Sequence, residues 1–220
     1  AILGGDAMLP WAYNMLVKDN PENLYELITV FNKVCKEVID GQQLDIDFET
    51  RLDVEEAEYL KMIGWKTSVL LAASLQLGAI VANASDEDQQ LIYDFGLNLG
   101  LAFQIKDDWL DTFGQSAKVG KRIGGDILNN KKTYLLVTAL ANASDAQMDR
   151  IKLLFDEGNE EAKIAGFMEI FEELNVSEIA KNKMKELYDK ALFALDSMSV
   201  KAEEDGFLKE LAKEVYNRDY

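Results

Sequence analysis

Histidine does not occur in the 220-residue chain, cysteine occurs once, at Cys35, and proline twice, at Pro10 and Pro21. Without histidine there is no His-based nucleophilic triad, no imidazole general base and no His-containing zinc site. A single cysteine makes neither an internal disulfide nor a thiolate cage, which fits a reducing compartment. Positive charge is scarce as well: 23 Lys and Arg stand against 40 Asp and Glu, a net charge of −17. Duplex nucleic acid and anionic membrane surfaces call for the opposite balance, so neither is expected as a partner. The most apolar run, residues 69–82, is interrupted by Ser74, Gln76 and Gly78. It falls short of the roughly 18–20 residues of a membrane span, and no span is expected. The opening residues lack the basic and apolar pattern of a leader, so a cytoplasmic location is the expectation.

What is present is a core: 48% of residues are hydrophobic and 10% aromatic. Apolar residues recur with a period near 3.6, and strand-like alternation is missing. Helices are predicted over residues 5–18 and 22–48, the latter with Gly41 inside it. A third opens at Asp53, with Glu56 three residues on in capping-box spacing, and closes near Trp65. Helices over 67–81 and 88–113 follow, the latter started by Ser85 or Asp86. Residues 114–132 lose the pattern, which resumes at 133–141, 145–155, 160–174, 177–198 and 205–217. No linker rich in Pro, Gly or Ser divides the chain, so one all-α domain of packed helices is expected over residues 1–220.

Chemistry concentrates late in the longest helix. Asp107 and Asp111 are four residues apart and share one face; Asp108 lies about 100° round, and Gln104 sits one turn earlier. Like charges at this spacing cost a few tenths of a kcal/mol. They also stand at the helix end where the macrodipole disfavours negative charge. A hard divalent cation reverses that cost: Mg²⁺ takes oxygen ligands and bridges one or two carboxylates to substrate phosphates. Residues 114–133 then carry Lys118, Lys121, Arg122, Lys131 and Lys132 against Asp126 alone, with glycines at 114, 120, 124 and 125. Taken singly, the first feature is an acidic patch in an acidic chain and the second a solvated surface turn. Together they suit a polyphosphate ligand, held by metal on one side and by lysines on the other.

The run Phe103-Gln-Ile-Lys-Asp-Asp-Trp-Leu-Asp111, with Gly120-Lys121 and Gly125-Asp126-Ile-Leu-Asn-Asn-Lys131-Lys-Thr133 behind it, resembles the second aspartate-rich region of the trans-isoprenyl diphosphate synthases, or polyprenyl synthetases. Gly4-Gly5-Asp6-Ala7, Gly41-Gln42-Gln43-Leu44-Asp45 and Lys66-Thr67 extend the likeness upstream. The resemblance implies an isoprenoid-synthase-type helical bundle, a homodimer, and Mg²⁺-dependent head-to-tail condensation of isopentenyl diphosphate with an allylic prenyl diphosphate. It implies Asp107 and Asp111 as metal ligands, with Asp108 as an alternative ligand or one acting through water. Lys66, Lys121 and Lys131 would bind diphosphate, while Thr67, at a helix break, and Gln104 face the developing carbocation. Gln42 and Asp45 would line the opposite wall, and Asp126 would order metal-bound water or the loop lysines. Residues 43–48 and 66–71 look most like short-chain synthases making C15 or C20 products.

One departure is large. The family carries a first aspartate-rich motif and paired arginines upstream of its Gly-Gly-Asp, whereas Asp107-Asp108 is the sole Asp-Asp pair in this sequence. The expectation is an N-terminally incomplete form of an active prenyltransferase, inactive by itself. The alternatives are a noncatalytic subunit of a heteromeric prenyl synthase, a terpene cyclase-like class I enzyme, and an acidic helical scaffold without a ligand. The apolar face of Leu24, Leu27, Phe31 and Val34 fits either a dimer interface or core.

Overall fold

A computed structural model describes residues 2–18, 22–114, 124–199 and 202–218, and no strand occurs among them. Helix α1 runs Ile2–Val17, α2 Leu24–Phe48 and α3 Glu56–Ile63; a π-helical turn, Gly64–Ser68, leads straight into α4, Val69–Val81. Then come α5 (Asp86–Phe113), a one-turn α6 (Gly125–Leu128), α7 (Tyr134–Asn142), α8 (Asp145–Phe155), α9 (Glu160–Glu173), α10 (Val176–Asp196) and α11 (Ala202–Asn217). Side-chain caps start several of them as the sequence suggests. The Ser85 hydroxyl accepts from the Asp88 N–H at 3.1 Å, and the Thr133 hydroxyl from the Leu136 N–H at 3.3 Å.

Helix α5, 28 residues and about 42 Å long, is the axis of the fold. It packs against α10 along one side and α4 along the other, while α2 lies behind α4 and the π turn. Its first half buries Phe95 and Leu99 against Ala191, Leu195 and Ala212. Its second half buries Ile105 in a larger core with Tyr59, Met62, Tyr134, Leu135, Ile151 and Phe171. The contacts along α4 and α2 are close because glycine permits it. A Cβ on Gly41 would lie 2.3 Å from the Lys66 amide nitrogen, and one on Gly100 would lie 2.8 Å from the Ser68 Cβ.

Several expectations need correction. No break separates Trp65 from Thr67: the π turn carries the helix through, so residues 56–81 form one unit. That 26-residue helix is long and apolar enough to cross a membrane by length and composition, contrary to the count made on residues 69–82. Its Met62, Ile63, Val69, Ala72, Ala73 and Ile80 are buried against the rest of the protein, while Leu70, Leu71 and Val81 are exposed. Asp53 does not cap α3. The helix starts at Glu56, and the Glu58 carboxylate accepts from the Glu55 N–H at 3.1 Å. Arg51 takes Asp53 instead, at 2.9 Å, and grips Glu58 with two bonds of 2.9 Å. On α2, Leu27 and Val34 are buried, the latter with Val69 and Ala73, and Phe31 meets Tyr13 edge-on at 4.9 Å. The stripe is core at Leu27 and Val34 and half-buried at Leu24 and Phe31.

Two outcomes follow. Gly41→Ala gains up to about 1 kcal/mol of helix propensity, but its methyl meets backbone that cannot give way, at a cost of about 1–3 kcal/mol. Urea unfolding should therefore show a net loss, and an unchanged midpoint would refute the tight α2–π-turn contact. The Arg51 guanidinium holds the Asp53 and Glu58 carboxyls below their ordinary values. Their folded values are depressed, so this stabilisation is present above the ordinary carboxylate range and fades as pH falls through it. Arg51→Gln should lower stability at neutral pH and flatten the acid limb of a stability–pH curve.

Candidate functional site

The three aspartates of α5 end up in three different environments. Asp108 is 4% exposed and points inward. Its Oδ2 accepts from the Tyr59 hydroxyl and, at 2.8 Å, from the Tyr134 N–H that opens α7. Burial pushes its carboxyl up to about 7, against the pull of Lys131 and those two hydrogen bonds. Burial also drives the Tyr59 hydroxyl well above its usual value, with the Asp108 charge adding to it. Asp108 therefore ties α5 to α3 and α7 through Oδ2, while its Oδ1 faces Lys131 at 3.9 Å.

Asp111 is half-buried. Its Oδ2 accepts from the Asp126 N–H at 2.9 Å, in the first turn of α6, while the Gly124 N–H bonds its backbone carbonyl at 2.7 Å. Burial raises its carboxyl above the usual range. Asp107 is the exposed member, and Nη2 of Arg218 donates to its Oδ1 at 3.1 Å. The same Nη2 reaches the Phe103 carbonyl at 3.4 Å, and the guanidinium centre lies 3.8 Å above the Phe103 ring. Lys131 stands between acids, with Nζ 3.1 Å from Asp126 Oδ2 and 3.9 Å from Asp108 Oδ1. Burial pulls its ammonium down, yet the Asp108 and Asp126 charges outweigh that and hold it above its usual value. Asp107, Asp108, Asp111, Asp126 and Lys131 thus meet where α5 ends and α6 begins.

Other expected residues sit elsewhere. Lys66, on the π turn, is engaged by Asp45 of α2 at 2.6 Å. Gln42 is exposed, and Gln104 and Thr67 are half-buried. Lys121 lies outside the described residues, as do Lys118 and Arg122. Lys132 is no part of a cationic loop: it is buried, and its ammonium donates to the Glu49 and Asn130 carbonyls at 3.1 and 3.2 Å. Thr67, Ser68, Leu71, Leu75, Phe95, Leu99, Gly100 and Phe103 face Leu208, Leu211 and Val215 of α11 across an apolar cavity of about 290 Å³. The Ser68 hydroxyl is buried and has no hydrogen-bond partner.

The donor set suits a substrate-bridging cation better than a protein cage. Among the described residues no cluster of three or more Asp, Glu or Cys can enclose a metal. Asp107 and Asp111 each keep a carboxylate oxygen outside their hydrogen bonds, on one helix face. Two carboxylates with the remaining positions left to water and phosphate is the coordination Mg²⁺ favours. Sequence reasoning gave Tyr59, Tyr134 and Arg218 no role. For Tyr59 the signal was weak, a buried hydroxyl on a core stripe that needs an acceptor. For Arg218, far along the chain, local pattern carried none.

The sequence model of the polyprenyl synthetase family matches residues 1–174. A short chain isoprenyl diphosphate synthase of Methanothermobacter thermautotrophicus is 38% identical over 181 residues, covering 82% of this chain and 55% of the relative. The solved geranylgeranyl pyrophosphate synthetase of Pyrococcus horikoshii superposes with a TM-score of 0.92 at 29% identity, over 99% of this chain and 66% of that one. A geranylgeranyl pyrophosphate synthase of Corynebacterium glutamicum, solved with isoprenyl diphosphate and magnesium, gives 0.87 at 30% identity, over 99% of this chain and 62% of that one. The chain thus spans 55% of the length of the first of these relatives.

Removing the Asp108 acceptor leaves two buried donors unpaired, each worth about 1–3 kcal/mol. Asp108→Ala should therefore lower unfolding free energy by about 2–4 kcal/mol, whereas Asp108→Asn, which keeps an acceptor oxygen, should lose less than half of that. Equal losses in the two variants would show that Asp108 is not acting as the acceptor.

Proposed function

The chain belongs to the polyprenyl synthetase family, and on that footing we propose that it carries the diphosphate-holding half of a Mg²⁺-dependent prenyl transfer site. The supporting observation is the α5–α6 junction, where Asp107 and Asp111 offer oxygens on one face beside the Asp126–Lys131 pair. Asp107 and Asp111 hold the metal. Asp108 positions them from below by fixing the end of α5 to α3 and α7. Mg²⁺, when bound, neutralises diphosphate oxygens and eases departure of the leaving group. Lys131, Lys66 and Lys121 supply the remaining positive charge.

The reaction is condensation of an allylic prenyl diphosphate with isopentenyl diphosphate. The allylic C–O bond breaks, the isopentenyl double bond attacks the cation to form the new C–C bond, and one proton leaves with pyrophosphate as acceptor. The Thr67 hydroxyl and the Gln104 carbonyl direct their dipoles at the charge that develops. Lys66 reaches a phosphate by exchanging Asp45 for it. Asp126 steers Lys131 and water at the metal. Gln42 and Asp45 occupy the α2 wall. The apolar cavity beside Thr67 and Phe103 receives hydrocarbon, and the likeness of residues 43–48 and 66–71 to short-chain synthases points to C15 or C20 products. We place the protein in a homodimer: α1 has no buried residue and exposes Ile2, Leu3, Met8, Trp11 and Met15.

Calorimetric titration with inorganic pyrophosphate tests this reading directly. Binding should require Mg²⁺ and vanish with chelator. Asp107→Ala and Asp111→Ala should each weaken it about tenfold or more, while Asp108→Asn should leave most of it. Mg²⁺-independent binding, or indifference to both alanine variants, would return the aspartates to a solvated acidic face. Incorporation of labelled isopentenyl units by full-length protein separates prenyl transfer from cyclisation.

A further inference from the structure

Arg218 joins two features that the sequence keeps far apart. Among the described residues its guanidinium is held by α5 groups, the Asp107 carboxylate, the Phe103 carbonyl and the Phe103 ring. Its side chain is 18% exposed, and its Nε is buried without a partner. It follows α11 directly, and Leu208, Leu211 and Val215 of that helix close one wall of the apolar cavity. Helix α11 is also held by Ala212, fully buried with Phe95 and Leu99, by Tyr216 stacked on Tyr188 at 4.4 Å and by Lys209 on Asp196 at 2.6 Å.

We propose that Arg218 is a latch: it occupies Asp107 as an internal counter-ion, and a metal arriving at Asp107 displaces it and loosens α11 from the cavity. This rests on the metal-site reading given above. A cation that takes Asp107 Oδ1 as its ligand meets the guanidinium donating to the same oxygen at 3.1 Å. Even on the other oxygen, a dication would lie within about 5 Å of the guanidinium, where like charges repel strongly in a partly desolvated site. Exchange is therefore competitive, and the linkage is reciprocal: the closed position of α11 weakens the metal, and the metal weakens the closed position. Access to the cavity and loading of the metal become one equilibrium. The unpartnered Nε fits a clasp that gives up some hydrogen bonding in its closed form, so less holds it against exchange.

Mn²⁺ serves as the probe, read by electron paramagnetic resonance of the free ion and by hydrogen exchange of the α11 amides, on wild type, Arg218→Ala, Arg218→Lys and Asp111→Ala, each checked for folding by circular dichroism. In wild type, Mn²⁺ should speed exchange in residues 206–218. Arg218→Ala should exchange fast without metal, show no further response, and bind Mn²⁺ about fivefold more tightly, the scale of a partly exposed ion pair. Arg218→Lys should fall between. If wild type binds Mn²⁺ in an Asp111-dependent way while α11 stays protected, or if Arg218→Ala binds no more tightly, the latch is overturned and the metal site stands. Absence of Asp111-dependent Mn²⁺ binding in every variant would overturn the metal reading, and the latch with it.

Discussion

The arrangement depends on one buried carboxylate. Asp108 lies where α5 ends, and it satisfies a tyrosine hydroxyl from α3 and the first amide of α7 with the same oxygen. A buried charge is tolerated only with hydrogen bonds around it, and here those bonds fix three helices at one point. The knot sets the rotation of α5 about its axis. With Asp108 turned inward, Asp107 and Asp111 must lie together to one side of it, on the face that looks out over α6. The direction that residue 108 faces thus decides which oxygens a ligand can reach.

The knot also explains how a helix tolerates acids at its negative end. Asp108 accepts from the amide that begins α7, and Asp111 from an amide in the first turn of α6. Helix N-terminal amides carry the partial positive charge that a C-terminal end lacks. The penalty anticipated for the cluster is therefore offset inside the chain for two of its three members. Asp107 has no such amide and takes a guanidinium instead. It is the member whose partner is a side chain, and so the one most easily exchanged.

Local pattern made much of this legible. Periodicity and cap residues located α4, α5 and α7 to α10 to within a few residues, because Ser85 and Thr133 cap as their chemistry dictates, while the one-turn α6 fell in the stretch read as loop. The i, i+4 placement of Asp107 and Asp111 was legible for the same reason. What pattern could not give depended on contacts distant in sequence. Asp53 had a cap's spacing, but Arg51 outbid the helix for its carboxylate. Lys132 counted as a loop cation until its ammonium was found against the carbonyls of Glu49 and Asn130. The break expected at Trp65–Thr67 is a π turn, a bulge that lets the helix run on, and it lies against Gly41 of α2. The inward turn of Asp108 needed Tyr59, forty-nine residues away.

A chain with a net charge of −17 has few cations to place, and those described near the site are all spoken for. Lys66 holds Asp45, Lys131 lies against Asp126, and Arg218 holds Asp107. On the proposed reading, a diphosphate would find no bare positive surface among the described residues; there it would exchange these carboxylates for its own oxygens, one pair at a time. Each exchange trades one anion for another, so its net free energy is small compared with the gross Coulomb attraction. A divalent cation changes that balance. It satisfies the aspartates that lose their internal partners, and so frees guanidinium and ammonium groups for phosphate. In such a site the metal and the diphosphate each make room for the other, and affinity for either alone is weak by construction.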